Sequence, residues 1–293
     1  MNSEKTTKAS KKIFGVIAVF ILVLFIVLQV FPFYLSLVTS LQPKSFFSLT
    51  KFDDSIRLWP AKISLVNYVT AWKDANLVGG FIWSFIYASS YTLLSCVIMM
   101  LTAYVLSKKQ FHGREFVFMV FMSALMVPGE ILLLSNYVLI SDLGLYRTPF
   151  AVVLPGLVNI FGIFLARQFM HTIPDSLVES AKIEGAGDIK ILFRIMIPLS
   201  LSVIATYTII TFTAQWNEYL WPSMVLGNDA MSIYNPVQIR LLLYRPFVDG
   251  LITHPYAYTL RLAAMMMTLL PVLVIYFIFQ RQFREGITIS GMK

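Results

Sequence analysis

Cysteine is nearly absent from this chain. Cys96 stands alone among 293 residues, which excludes an intrachain disulfide and a cysteine-based zinc site. Histidine is almost as scarce. His112, His171 and His254 lie in loops far apart in sequence, so no metal site is expected from them. Charge is sparse too, at 13% of residues against roughly 25% in soluble domains. Several catalytic patterns are missing. There is no G-x-x-x-x-G-K-S/T phosphate loop, no G-x-S-x-G elbow and no H-E-x-x-H pair. The chain therefore has no recognisable nucleotide site of its own, and no catalytic residue is nominated.

What is present is apolar sequence: 58% of residues are hydrophobic, which describes an integral membrane protein. The net charge of +8 does not point to nucleic acid, because the basic residues sit at the ends of apolar runs, as membrane topology requires. Spanning a bilayer takes about 20 apolar residues. Six runs meet that need: Ile13 to about Ser36, a second within 75–107, about Glu115 to Ser135, about Pro149 to Arg167, about Ile197 to Trp216, and about Leu262 to Gln280. The first run is too long for a signal-peptide core and lacks a small-residue cleavage site, so it reads as an uncleaved span. With the N-terminus inside, the inner segments hold 14 Lys and Arg in 63 positions and the outer ones 9 in 97. Both termini are then expected in the cytoplasm.

The fold expected is all-α, with six transmembrane helices. Residues 1–12 form a cytoplasmic N-terminus and 13–282 the permeating domain, with an inner loop at 170–197 and an outer loop at 223–260. Residues 283–293 form a cytoplasmic tail. Two helices carry polar stripes at helical spacing. In the second span these are Ser84, Tyr87, Tyr91, Ser95 and Thr102, a stripe that should face protein or water. In the fifth they are Tyr207, Thr208, Thr211, Gln215 and Glu218. Such groups suit a polar pathway, and equally suit hydrogen bonding between helices. Asn159 and Tyr91 join Tyr207, Thr208, Thr211 and Gln215 as pathway candidates. Glu130 near the outer end of the third span faces a cavity or reaches water at the interface.

The longest charged interruption on the inner side is ESAKIEGAGDIKILFRIMIP, Glu179 to Pro198. Pro174 with Ser176-x-x-Glu179 fits a helix start with a capping box. Leu177 and Ala181 share a face. Gly185 and Gly187 break the helix, and Asp188 is placed to cap a second one carrying Ile191, Leu192 and Ile195, ending before Pro198. The result is a short helix–turn–helix with an apolar ridge that the membrane does not cover. A DNA-binding helix-turn-helix would share this outline, but the flanking spans set it against a membrane.

This stretch resembles the EAA loop of ABC importer permeases, with Ser180 where the motif has a second alanine. LTAYVLSKKQFHGR at 101–114, LGLYRTPFAVVLP at 143–155, NEYLWP at 217–222 and QRQFREGITISGMK at 280–293 extend the likeness along most of the chain. They are similar to the carbohydrate-type permeases, in particular the maltose-type six-span subunit. The tail departs from the family in ending ITISGMK. The resemblance implies a non-catalytic subunit of a binding-protein-dependent importer in a bacterial or archaeal cytoplasmic membrane. Its partners would be a second homologous permease, two ATPase subunits carrying ATP and Mg, and an extracytoplasmic solute-binding protein. The substrate would be an oligosaccharide, with a glycerol phosphate as the alternative. An ion-driven secondary transporter is the competing class. Glu179, Ala181, Glu184, Gly185, Ala186, Phe193 and Pro198 would couple to the ATPase. Tyr234, Asn235 and Arg240 would belong to the loop that meets the binding protein. Read from the residues alone, Arg240, Arg245 and Arg261 in and after that loop suit an anion, and equally suit pairing with Asp249 or lipid phosphate.

Overall fold

The structure is a computed structural model and describes residues 2–44, 58–60, 62–227, 232–246 and 255–290. Among them every regular element is helical. The chain divides into two compact units, Met1–Ala75 with Tyr244–Met267, and Asn76–Leu243 with Thr268–Lys293.

The first unit holds α1 (Asn2–Ser40), α2 (Val66–Asp74) and the beginning of α14 (Pro255–Ser290). From Phe14 onward α1 exposes Val19, Phe20, Phe25 and Leu28 among other apolar side chains. A helix apolar on all sides has its polar backbone satisfied internally and suits hydrocarbon as solvent. Its inner-unit anchor is Asn67, whose Nδ2 donates to Ser40 O at 2.7 Å and Gln42 O at 2.8 Å. The Tyr256 hydroxyl donates to Asn67 Oδ1 at 2.5 Å.

The second unit is built on α3 (Leu77–Lys108), α7 (Ile160–Thr172) and α11 (Leu201–Asn217). Gly162 of α7 lets these helices meet, because a Cβ there would land on the Tyr207 ring, with Met99 Sδ at 3.1 Å. One buried cluster joins Met99, Ala103, Ile163, Ala166, Met170, Ile191, Met196 and Tyr207. A second joins Tyr87, Ile140, Ala151, Val152, Val225 and Leu226. It draws on α5 (Leu132–Asp142), α6 (Pro149–Val153) and α12 (Leu220–Leu226). The α4 helix (Arg114–Ala124) follows α3, and α13 (Val237–Leu243) closes the outer loop.

Among the described residues, three of the expected spans are single long apolar helices. Phe14–Ser40, Leu77–Lys108 and Tyr256–Ile278 are long and apolar enough to cross a bilayer as single helices. Two further stretches qualify only as bent pairs: Arg114–Ala124 with Gly129–Asp142, bent by 81°, and Asp188–Leu199 with Leu201–Asn217, bent by 77°. At the first bend Pro128 precedes a single 3-10 turn that carries the exposed Glu130. The expected span at 149–167 is broken between α6 and α7, where Pro155 is followed by Gly156 at φ +79°. The 13 residues of α7 reach only about 20 Å at 1.5 Å per residue. Helix continues across residues 12/13 in α1, which starts at Asn2, and across 282/283 in α14, which runs to Ser290.

Candidate functional site

Pro174 decides where the 175–199 hairpin begins. A residue before proline is pushed out of the helical region, and Ile173 sits at φ −76°, ψ 126°, ending α7. The α8 helix (Asp175–Ile183) starts at once, with an acid in its first turn that complements the helix dipole. Its end is a Schellman motif: Ala186 N donates to Ala181 O and Gly185 N to Lys182 O, both at 2.9 Å. Gly185 occupies the left-handed position at φ +79°, which glycine adopts without strain. Gly187 is extended and leads into α9 (Asp188–Ile191). A π-helical turn, Leu192–Met196, and α10 (Ile197–Leu199) complete the arm before the bend into α11.

The hairpin differs from expectation in three respects. Ser176 lies inside the first turn and makes no capping bond, because Pro174 moves the helix start forward. Asp188 is the first helical residue and does not cap its helix; its carboxylate is taken by other side chains. Pro198 lies within α10 and does not stop the arm before it.

The apolar ridge also splits into two faces. Val178, Ala181, Ile191 and Leu192 are buried in the chain's own core with Ala103 and Tyr104. Ala181, expected at the coupling face, is buried in the chain's own core. Ile183, Ile189 and Phe193 point the other way, at 88%, 73% and 55% exposure. Glu179, Glu184, Gly185 and Pro198 are exposed and Ala186 is half-buried. The outward row is apolar side chains among charges, the composition of a docking surface.

Two polar attachments fix the hairpin to the end of α3, and a third ties α7 to α4. At the end of α3, Lys108 Nζ donates to Ile173 O at 2.6 Å and to Asp175 Oδ1 at 2.5 Å. This hydrogen bond, with the attraction of the ammonium, holds the Asp175 carboxyl below the usual carboxylate range. Lys109 Nζ pairs with Asp188 Oδ1, and the Tyr104 hydroxyl donates to the same oxygen at 3.2 Å. One helix turn further in, the buried Arg167 donates from Nη2 to both oxygens of Glu115, at 2.8 and 2.9 Å, and from Nε to Leu106 O at 3.2 Å. Its guanidinium lies 3.6 Å from the Phe118 ring centre. A buried cation needs such partners. None of these pairs was foreseen. Lys108, Lys109 and Arg167 read as span-end charges in sequence, and their partners lie 52 to 79 residues away.

The polar stripes are largely spent on packing. Tyr207 donates to Ser95 Oγ at 2.9 Å and Tyr91 to Gly156 O at 2.6 Å. Asn159 caps α7 by accepting from Gly162 N at 2.9 Å. Ser84 Oγ accepts from Val237 N at 2.8 Å, and Tyr87 donates to Tyr234 O at 3.0 Å. Glu218 accepts from Leu220 N and Trp221 N at 2.8 and 3.1 Å, at the start of α12. Of the pathway candidates, Tyr207, Thr211 and Tyr91 are buried, whereas Thr208, Gln215 and Asn159 are half-buried.

The loop after α12 also packs against its own chain. Asn235 and Arg240 are buried within the chain and do not form its outward surface. Arg240 donates to the carbonyls of Asn235, Ile233 and Ser232 at 3.0, 3.3 and 3.5 Å. These bonds direct Nε and Nη2 at the chain's own carbonyls. Its stem crosses Gly79 and Gly80; a Cβ on Gly80 would lie 2.7 Å from Arg240 Cδ and 2.9 Å from Val237 Cα. Tyr234 is half-buried against the Trp83 ring, with centroids 4.9 Å apart. Arg261 Nε donates to Tyr244 O at 3.0 Å. Arg245 is exposed, and His254 lies outside the described residues.

Residues 100–288 match the family model described as "Binding-protein-dependent transport system inner membrane component". The chain is 31% identical over 271 residues to the arabinooligosaccharides transport system permease protein AraQ of Halalkalibacterium halodurans, covering 91% of this chain and 92% of that protein. It is 31% identical over 274 residues to the sn-glycerol-3-phosphate transport system permease protein UgpE of Brucella abortus, covering 91% and 93%. Among solved structures, a bacterial ABC transporter involved in the import of the acidic polysaccharide alginate contains a chain that superposes with a TM-score of 0.81. The match covers 93% of this chain and 97% of that one at 24% identity.

Proposed function

We propose, from the premise that this chain belongs to the binding-protein-dependent transport system inner membrane component family, that it carries an oligosaccharide inward by coupling to a separate ATPase. It is a membrane permease subunit of an ABC importer, not an enzyme. A second homologous permease completes the pathway, two ATPase subunits bind ATP and Mg, and an extracytoplasmic binding protein delivers the sugar. The membrane is the bacterial or archaeal cytoplasmic membrane, with both termini inside. The observation that carries the reading is the outward row Ile183, Ile189 and Phe193 on a hairpin whose other face is buried in the chain's own core. Exposed isoleucines on a short charged hairpin call for a protein groove.

The test is reconstitution with its partner permease, ATPase and binding protein. Labelled arabinotriose and glycerol 3-phosphate serve as probes. Uptake requiring both ATP and binding protein is expected. Ile189→Asp should release the ATPase subunit on purification, and retention of that subunit would refute the docking face. Uptake driven by an ion gradient after ATP depletion would favour the secondary-transporter class. The relative named for sn-glycerol-3-phosphate supports a second substrate reading, a polyol phosphate, and preferential uptake of glycerol 3-phosphate would select it.

A further inference from the structure

The hairpin is joined to the rest of its unit in two different ways. Toward α3 it is clamped at the first turn of both its helices. Asp175 opens α8 and is held by Lys108; Asp188 opens α9 and is held by Lys109 and Tyr104. Beneath the clamps Tyr104, Ala103 and Leu106 share the buried cluster with Val178, Ala181, Ile191 and Leu192. The Lys108 side chain is only 3% exposed, so that clamp is seated on the core.

Toward α11 the junction is built differently. The chain passes through the π-helical turn Leu192–Met196, then Pro198, which has no amide hydrogen to donate. A bend of 77° follows. At the bend Ser200 N is shared between Met196 O and Ile197 O, both at 3.0 Å. Ser200 Oγ is buried with no hydrogen-bond partner among the described residues. Interrupted helical register of this kind marks points where helices kink. One side of the hairpin is thus welded and the other jointed.

We infer that Tyr104, Lys109 and Asp188 form a positioning clamp that makes the hairpin ride on α3, with the 192–200 segment as the joint that lets α11 lag behind. This rests on the ABC importer reading and deepens it: it names the helix that first receives the force and the residues that transmit it. A force on Ile189 reaches Asp188 one residue away and passes through its carboxylate to the end of α3. In α3 lie Tyr91 and Ser95, whose hydrogen bonds reach Gly156 and Tyr207. Movement of α3 therefore pulls directly on the interior polar seam. Lys109 and Asp188 are positioning residues, since neither is part of the outward apolar row.

The experiment measures sugar uptake and ATP hydrolysis in the same proteoliposomes, using the whole importer with arabinotriose or glycerol 3-phosphate, whichever the wild type accepts. Asp188→Asn and Lys109→Met are expected to lower uptake per ATP hydrolysed by about two- to fivefold, the range of a partly exposed ion pair. The charge exchange K109D/D188K should restore the ratio to within about twofold, because exchange preserves the attraction. Tyr104→Phe removes one hydroxyl while keeping the ring, and should lower the ratio in the same direction by a smaller factor. It carries the test if Asp188→Asn fails to assemble. A merely structural clamp would lower yield and leave uptake per ATP unchanged. That unchanged ratio, or failure of the charge exchange to restore it, overturns the clamp. ATP-independent uptake by the wild type would instead overturn the importer reading.

Discussion

Gly185 separates two explanations for a glycine in the turn of the hairpin. One holds that a partner groove leaves no room for a side chain. The other holds that the backbone needs a left-handed residue. A Cβ built at Gly185 meets nothing within 4 Å of its own chain, whereas φ is +79°. The backbone explanation therefore predicts an order of substitutions that does not follow size. An L-residue in left-handed helical conformation costs about 1–2 kcal/mol, and asparagine tolerates that region better than alanine. Gly185→Asn should disturb the turn least, Gly185→Ala more, and Gly185→Val most, since a β-branched side chain adds its own restriction.

The bonds at stake are Ala186 N to Ala181 O and Gly185 N to Lys182 O. Opening them at a cost lowered by 1–2 kcal/mol raises the open population about 5- to 30-fold. Backbone amide exchange through residues 181–188 should quicken by that factor in Gly185→Ala, and by less in Gly185→Asn. Uptake in the reconstituted importer should follow the same rank. The reversed rank, with alanine better than the larger asparagine, would refute the backbone argument and place the constraint in a partner groove.

The remaining expectations follow from single contacts. Asp175→Asn removes the charge partner of Lys108 and should cost at most about 1 kcal/mol, because Asp175 is exposed. The Asp175 carboxyl is held below its ordinary range by Lys108. The stabilisation is thus complete above the unfolded-state value and lost as pH falls through the lower folded one. The melting-temperature gap between Asp175→Asn and wild type should accordingly be full at pH 7 and close in acid. Tyr207→Phe loses a buried hydrogen bond to Ser95 Oγ, worth about 1 kcal/mol; adding Ser95→Ala should cost less than the sum of the two, read as thermal stability in detergent. Arg240→Met leaves the buried carbonyl of Asn235 without its donor and should cost about 1–3 kcal/mol. Limited proteolysis should then cut the outer loop faster.

Long apolar runs made α1, α3 and α14 legible, because a bilayer demands unbroken helix over a known length. The broken segments were not legible as such. Pro128 and Pro155 mark the interruptions, but whether proline kinks, ends or merely bends a membrane helix depends on neighbours that re-satisfy the backbone. The 175–199 hairpin was readable as helix, turn and helix from Pro174, Gly185 and Gly187. Its facing was not. Ile191 and Ile189 are two positions apart and chemically identical, yet one is buried and the other exposed. What decides between them is contact with Tyr104 and Ala103 of α3, which no local period encodes. The clamps were hidden for the same reason, as were the inward direction of Arg240 and the packing role of Ala181.

The interior hydroxyls bear on where a substrate passes. A polar residue in a membrane helix can line a pathway only if its hydrogen-bonding groups are not already committed. Tyr91, Tyr207 and Ser95 are committed to one another's helices and to the Gly156 carbonyl, and Asn159 to the first turn of α7. Breaking these bonds to bind a sugar would expose buried donors and loosen the α3–α7–α11 contact itself. Thr208 and Gln215 lie on the same helix as Tyr207 but are half-buried. Thr208→Ala and Gln215→Ala should therefore alter uptake with little loss of thermal stability, while Tyr91→Phe and Tyr207→Phe should lose stability first. Equal stability losses in all four variants would show that Thr208 and Gln215 are packing residues too, and would move the pathway off this face of α11.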